Sequence, residues 1–417
     1  MTISLSKYFT GFNLKDKKYR QRSLSVLLYT FNNFSTPIFN FLLSAIIIER
    51  ISLEFWGEYV SITLIVNLSA LILAWGNKEY LMRIFSKQPS QISIQWWTSL
   101  IQRFVLCLLL IILFFIFLDL PEYRIFALVF WIFTLFLYKS FEVLFLYKRA
   151  FLFSLILESL GYIVLLGVGL FYPSGKFTID HFILLFAGLS LLKFCAGIIY
   201  FRHDIFPDEW IFGNLLKSNS LFLALPFFLP SVIGMLQGKM DLYCAAYFLS
   251  SIQVGKYQVY MNLLTIPHSL ALFTIMPFIK NVYRLPFASL KKIMNRLTLF
   301  GFIVPFPAVA VIYLLIEYYY HFRFSTYMYI VGYLQLVPFF LYFFRMQLLL
   351  RYDKQVIIVW ITLATACFSF LTSVIFIPFW NIEGAIIANT ITQWVTLALF
   401  IYTDYYLKTN GAYLNRK

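Results

Sequence analysis

The sequence predicts an all-α integral membrane protein, with about twelve transmembrane helices in two pseudo-repeated six-helix bundles around a central cavity. Three observations carry this expectation. Hydrophobic residues make up 61% of the 417 positions and charged ones only 12%, where a soluble domain carries about 25% charged residues. Apolar runs of roughly 20 residues, the length that crosses a bilayer, recur along the whole chain. A short motif near the second of these runs returns near the eighth.

In order, Met1 to Ser23 reads as a cytoplasmic basic leader (Lys7, Lys15, Lys17, Lys18, Arg20, Arg22). It lacks the short apolar core and small-residue cleavage site of a secretory signal. Spans are expected at 24–48, 58–76, 100–118, 123–140, 151–171 and 180–201, which form the first bundle over 24–201. A cytoplasmic linker, 202–220, leads to the second bundle over 221–402. Its spans are expected at 221–249, 257–279, 297–316, 327–344, 355–377 and 384–402, before a cytoplasmic tail at 403–417.

Loop charges set the orientation, because Lys and Arg accumulate on cytoplasmic connections. Of the 33 basic residues, five fall on outer loops (Arg50, Arg124, Lys176, Lys256, Arg323) and Lys193 and Lys239 lie within spans. The remaining 26 occupy segments assigned to the cytoplasm, which puts both termini inside. The cytoplasmic segment 280–296 (Lys280, Arg284, Lys291, Lys292, Arg296) is expected to be an interfacial basic helix beside anionic headgroups. No outer loop exceeds about ten residues on this map, so any chemistry takes place within the bilayer or at its surface. Nucleic acid is not implied by the net charge of +15; the charge belongs to the inner loops.

The repeat pairs Phe55-Trp56-Gly57-Glu58-Tyr59 with Gln253-Val254-Gly255-Lys256-Tyr257, at an offset of 198. Tyr-plus-basic clusters, Tyr147-Lys148-Arg149 and Arg351-Tyr352-Asp353-Lys354, also bridge corresponding spans. Parallel repeats of this kind place a substrate site between the halves of a transporter. Prolines are concentrated in the second half (Pro226, Pro230, Pro267, Pro277, Pro305, Pro307, Pro338). Each removes a backbone hydrogen bond, so this half is expected to bend more, above all at the seventh span.

The candidate site centres on Gln237-Gly238-Lys239-Met240-Asp241. A charge at mid-bilayer costs about 2.5–3.5 kcal/mol on insertion scales, so such residues normally face a cavity or a partner. Lys239 and Asp241 are about 200° apart on a helix and cannot pair on one face. Lys239 shares its face with Met235, Tyr243 and Tyr247 and is the cavity candidate; Asp241 is expected to reach a neighbouring helix or the interface. Gly234 and Gly238 form a small-xxx-small stripe that favours close packing. The alternative is that Lys239 snorkels to the outer headgroups.

Lys193 lies on a stripe with Ser190, Gly197 and Tyr200, and Glu158 on one with Ser154, Gly161 and Tyr162. They could form a structural pair, or Lys193 could bind substrate while Glu158 carries a proton. Glu79 and Arg83 have the i,i+4 spacing of a local ion pair. Arg83 also suits a phosphate at the inner mouth, since a guanidinium fork matches its oxygens, and Arg345, Lys139 and Glu142 belong to the same vestibule. Cys107, Cys195, Cys244 and Cys367 fall in apolar runs and are expected to be buried small hydrophobes. The four histidines have no metal spacing, and there is no Walker A loop; neither metal nor cofactor is implied, and an ATP-driven pump within this chain is excluded.

Lys239-x-Asp241 followed by Val254-Gly255-x-Tyr257 resembles the seventh and eighth spans of bacterial O-antigen (Wzx-type) flippases of the multidrug/oligosaccharidyl-lipid/polysaccharide exporter superfamily. Phe55-x-Gly57-x-Tyr59 with Gly76 and Arg83, and Pro378 with Gly384-Ala385-Ile386-Ile387-Ala388-Asn389, resemble further segments of that family. The resemblance implies an undecaprenyl-pyrophosphate-linked oligosaccharide moved across the bacterial inner membrane. A cationic cavity, membrane lipids, and a polysaccharide polymerase and chain-length regulator as neighbours are implied with it. The expected function is therefore flipping of O-antigen repeat units by alternating access, in lipopolysaccharide biosynthesis, with no enzymatic step. Lys239, Lys193, Arg83, Arg345, Tyr243 and Tyr247 are the expected substrate contacts; Asp241 and Glu158 are candidates for ion or proton coupling or for helix pairing. The alternatives are a cation-coupled drug antiporter of the same superfamily, which would favour acidic cavity groups, and an O-antigen polymerase, whose resemblance implies a large outer loop that this map lacks.

Overall fold

The computed structural model describes residues 31, 36–171, 178–206, 220–275, 287–352 and 354–409. The leader, the start of the first span, Lys176, most of the 202–220 linker, Pro277, Lys280, Arg284 and the end of the tail lie outside these residues. Every regular element described is helical. The first half comprises α1 (36–50), α2 (Leu53–Ala74), α3 (Asn77–Lys87), α4 (Ile92–Phe117), α5 (Glu122–Lys139), α6 (Glu142–Tyr147), α7 (Phe151–Phe171) and α8 (Ile179–Ile205). The second comprises α9 (Ser220–Phe248), α10 (Ser251–Ile275), α11 (Phe287–Ile303), α12 (Pro305–Leu314), α13 (Thr326–Arg351) and α14 (Gln355–Thr409). Among the described residues, nine helices are long and apolar enough to cross a membrane, and α14 contains two limbs. The chain is an all-α, multi-pass membrane protein.

Local chemistry sets the boundaries. Ser52 caps α2 by accepting from the Phe55 amide at 3.0 Å, with Glu54 in the first turn. At the other end Trp75 (φ 45°) and Gly76 (φ 64°) are both left-handed, so the helix stops and α3 leaves at an angle. Helix α3 is amphipathic: Tyr80, Leu81 and Phe85 are buried, whereas Lys78, Arg83 and Lys87 are exposed. Helix α4 shows the opposite face of the problem, exposing Val105, Leu109, Ile112 and Ile116 along one stripe as a lipid-facing surface.

Several boundaries differ from the hydropathy map. Helices α2, α4 and α10 begin about one to two turns earlier than expected, because interfacial Ser, Gln and Trp residues continue the hydrogen-bond ladder without raising hydropathy. Arg103, at the inner end of the expected 100–118 span, lies in the fourth turn of α4 and is 2% exposed. Its guanidinium donates to the carbonyls of Ser99 and Leu73 and to Ser140 Oγ at 3.2–3.3 Å, and stacks over Phe136. It thereby ties α4 to the end of α2 and the α5–α6 corner. Lys292 and Arg296 are exposed on α11, whose apolar run continues through α12 and ends in a π-helical turn, Leu315–Tyr319; the described part of the basic helix expected over 280–296 is the start of α11 and runs on into this span. Cys107 and Cys244 are buried, but Cys195 and Cys367 are exposed and all four are free thiols, a departure from the expectation for two of them. In a bilayer an apolar position need not be buried in protein.

Pro226 and Pro230 sit inside an unbroken α9. The sharp break is in α14, at Asn381 (φ 50°, ψ −128°), three residues after Pro378. The chain reverses there, and the limbs pass so closely that a Cβ on Gly384 would lie 2.1 Å from the Phe376 carbonyl oxygen.

Candidate functional site

The two motifs that define the repeat meet each other. A Cβ on Gly57 would lie 1.7 Å from the carbonyl oxygen of Ser251, and one on Gly255 would lie 2.9 Å from that of Leu53. An offset of 198 maps Gly57 to Gly255 and Leu53 to Ser251, so the two contacts are reciprocal, as a local two-fold axis requires. This seam lies at the end that the loop charges assign to the outside, called the outer end below. At the inner end α2 meets α9 instead. Trp75 donates from Nε1 to the Leu221 carbonyl at 2.9 Å and stacks on Phe228 at 4.1 Å, while Gly76 faces the backbone of Ala224 and Phe228.

Helix α9 runs between these closures and carries the candidate charges. Lys239 is half-buried and makes no hydrogen bond or ion pair with a described residue. Lys139, at the end of α5, is near enough for the two like charges to interact, so cations from both halves face the same region. Asp241 points the other way, as its two-residue offset demands. It is 2% exposed, accepts from Tyr257 of α10, and accepts from Asn389 Nδ2 of α14 at 2.7 Å. No cation among the described residues lies within ion-pair distance of it, and Asn389 Oδ1 is a buried acceptor without a hydrogen-bond partner. A buried carboxylate held by neutral donors suits a small hard cation or a proton. No cluster of three or more His, Cys, Asp or Glu side chains with metal-binding geometry occurs among the described residues.

Other candidates are dispersed. Tyr243 donates to the Leu64 carbonyl at 3.2 Å, attaching α9 to α2, while Tyr247 is 83% exposed at the outer end against Phe248. A Cβ on Gly234 or Gly238 would meet nothing within 4 Å, so the small-residue stripe faces open space rather than the close helix contact expected of it. Arg83 is exposed on α3, and Glu79 pairs with Lys78 at 3.6 Å rather than with Arg83. Arg345 donates to Asp404 at 3.1 Å, its side chain 17% exposed. Sequence reading missed Asp404 as its partner, Arg103 as a buried charge, and Asn389 as a ligand of Asp241.

Lys193 and Glu158 do pair, at 2.6 Å, linking α8 to α7. Tyr138 donates to the same carboxylate at 2.7 Å, and the ammonium lies over the Tyr138 and Tyr162 rings. Gly161 makes room for the lysine stem, since a Cβ there would sit 2.7 Å from Lys193 Cε. Lys193→Met is expected to lower stability by about 3 kcal/mol by stranding Glu158, and Lys193→Met with Glu158→Met to regain most of that. Thermal melts of detergent-purified protein measure both; a double variant no more stable than the single one would remove the pair from the fold's supports.

No protein-family model and no curated protein sequence matches the chain. Solved structures do. The chain is similar to the lipid II flippase MurJ in its inward closed conformation, with a TM-score of 0.72 at 13% identity over 91% of this chain and 87% of that one. It is also similar to an inward-facing multidrug resistance MATE family transporter of the MOP superfamily (TM-score 0.58, 10% identity, 93% and 100% coverage). The eukaryotic MATE transporter AtDTX14 matches with a TM-score of 0.53 at 14% identity, over 91% and 94%. The fold is that of these transporters.

Proposed function

We propose that the chain is a flippase that carries an undecaprenyl-pyrophosphate-linked oligosaccharide, such as an O-antigen repeat unit, from the inner to the outer leaflet of the bacterial inner membrane. The observation that carries this reading is Lys239, half-buried on α9 and in no ion pair with a described residue, with Lys139 of the other half within electrostatic reach. Two cations converging with no carboxylate within ion-pair distance, and Asp241 of the same helix the one acidic group that offsets Lys239, favour an anionic substrate, and the pyrophosphate supplies the negative charge. The MurJ neighbour, a lipid II flippase, supports a lipid-linked substrate. The repeated halves, 24–201 and 221–402, would move about the reciprocal Gly57 and Gly255 seam, alternating with the Trp75 and Phe228 contact at the inner end. Both termini would be cytoplasmic, by the loop charges. Lys193 and Arg345 are occupied by Glu158 and Asp404, so in this reading they contribute to substrate binding only if those pairs open. Arg83 is free to meet a phosphate at the inner mouth.

A second reading, a cation-coupled drug antiporter, draws on one observation: Asp241 is buried with neutral donors only. Both readings fit if Asp241 couples an ion or proton to the movement of the anion. The deciding experiment is complementation of a deletion strain with the lipid-linked repeat unit assayed in each leaflet. Lys239→Ala is expected to leave the unit on the inner face, with outward transport down about tenfold or more, at unchanged protein level. Normal export by Lys239→Ala would end the site assignment. If single units reached the outer face without the chain and only their polymerisation failed, a polymerase would be the better reading.

A further inference from the structure

At the outer end of the second half, beside the α2–α10 seam, a cavity of about 400 Å³ opens between the start of α10, the segment before α13 and the break in α14. That volume is at the small end of the roughly 300–1,000 Å³ range of ligand sites. Lys256 and Arg323 both line it. They are two of only five basic residues that the charge bias leaves outside, and the others behave differently. Arg124 is neutralised by Glu58 and Asp180, each at 2.9 Å, Arg50 is exposed elsewhere, and Lys176 lies outside the described residues. Neither Lys256 nor Arg323 forms an ion pair with a described residue; Lys256 rests on the Phe322 ring at 5.7 Å with its donors unspent. Cations are depleted on this side of a membrane protein, so two of them converging on one concavity calls for an anion.

The rest of the lining narrows its class. Trp380 is 52% exposed and stacked on Phe376, presenting a flat apolar wall of the kind on which a sugar ring rests. Beside it, Asn381 is held at φ 50°, a strained conformation for a residue with a side chain, and strain of this kind concentrates at binding sites. Glu383, which accepts from Ser325 at 3.0 Å, and Gln253 add partners for hydroxyls. One carboxylate against two cations leaves the site net positive.

We propose that this cavity is an outward-facing subsite for a sugar that carries an oxyanion, a carboxylate or a phosphate. The site stands on binding alone, whatever the chain transports. Isothermal titration calorimetry of the full chain in phosphatidylcholine nanodiscs tests it with sodium glucuronate, glucose 1-phosphate, inorganic phosphate and glucose as probes. Glucuronate or glucose 1-phosphate saturates in the millimolar range, and neutral glucose binds at least about tenfold more weakly. Whichever of the two binds more tightly identifies the oxyanion. Lys256→Gln with Arg323→Gln weakens binding by about tenfold, and Glu383→Gln, which removes the opposing charge, strengthens it about threefold. Should the double variant fail to fold, the sign of the Glu383→Gln effect decides. The proposal is overturned by an absence of saturable heat up to about 50 mM, by glucose binding as tightly as its anionic relatives, or by inorganic phosphate alone matching glucose 1-phosphate.

Discussion

Gly57→Ala is expected to force the outer seam open and to stop transport with it. The new methyl group would lie 1.7 Å from the Ser251 carbonyl oxygen, and the next atoms it meets are also backbone. No side chain can swing aside, so α2 and α10 must separate along their length. Overpacking of this kind costs about 1–3 kcal/mol. A penalty paid only in the state with the seam closed shifts the balance between closed and open forms by about 5- to 150-fold. Gly255→Ala meets Leu53 at 2.9 Å, so the same effect is expected in smaller degree, and Gly167→Ala, with nothing within 4 Å, should be silent. Spin labels at Glu54 and Ile252 in a cysteine-free background read the separation directly. The distance should lengthen in the order Gly167→Ala, Gly255→Ala, Gly57→Ala, with transport falling in step. An unchanged distance and full transport in Gly57→Ala would detach the seam from the mechanism.

The two glycines also show what the sequence made legible. Their motifs stood out as a repeat because the same Gly-x-Tyr returned after 198 residues. That the copies touch one another could not be read from spacing, since it depends on how two distant helices cross. Hydropathy located the helices, and failed where polar and aromatic residues continue a helix into the interface, at the starts of α2, α4 and α10. Arg103, inside the expected 100–118 span, was counted with the cytoplasmic charges because its acceptors, Leu73, Ser99 and Ser140, come from elements that sequence alone does not bring together. Lys193 with Glu158 was readable as an alternative because two opposite charges deep in consecutive spans have few other options. Arg345 was not, since Asp404 appeared to belong to a soluble tail rather than to the last turns of α14. Helical periodicity separated Lys239 from Asp241, but it could not say that Gly234 and Gly238 face open space.

Asp241→Asn separates the charge of the site from its shape, and is expected to keep the fold while removing coupling. Asp241 is 2% exposed, and its carboxylate takes donors from Tyr257 and Asn389, which come from different helices. Truncation to alanine would strand both donors at about 1–3 kcal/mol each, and a lower protein level would then explain any loss of function. Asparagine has the same outline and can still accept from Tyr257, so protein level should stay near normal. What disappears is the negative charge. If that charge binds a proton or small cation whose release permits the next step, transport should fall by about 5- to 150-fold, the range of ordinary coupling energies, while substrate binding at Lys239 persists. In proteoliposomes, a pH or sodium gradient that accelerates the intact protein should leave Asp241→Asn unaffected. Equal acceleration of both would reduce Asp241 to a tie between helices, and the driving force would have to act elsewhere. The placement argues against that outcome, because a tie does not need a charge. A neutral amide could join α9, α10 and α14 without the several kcal/mol of desolvation that a buried carboxylate brings.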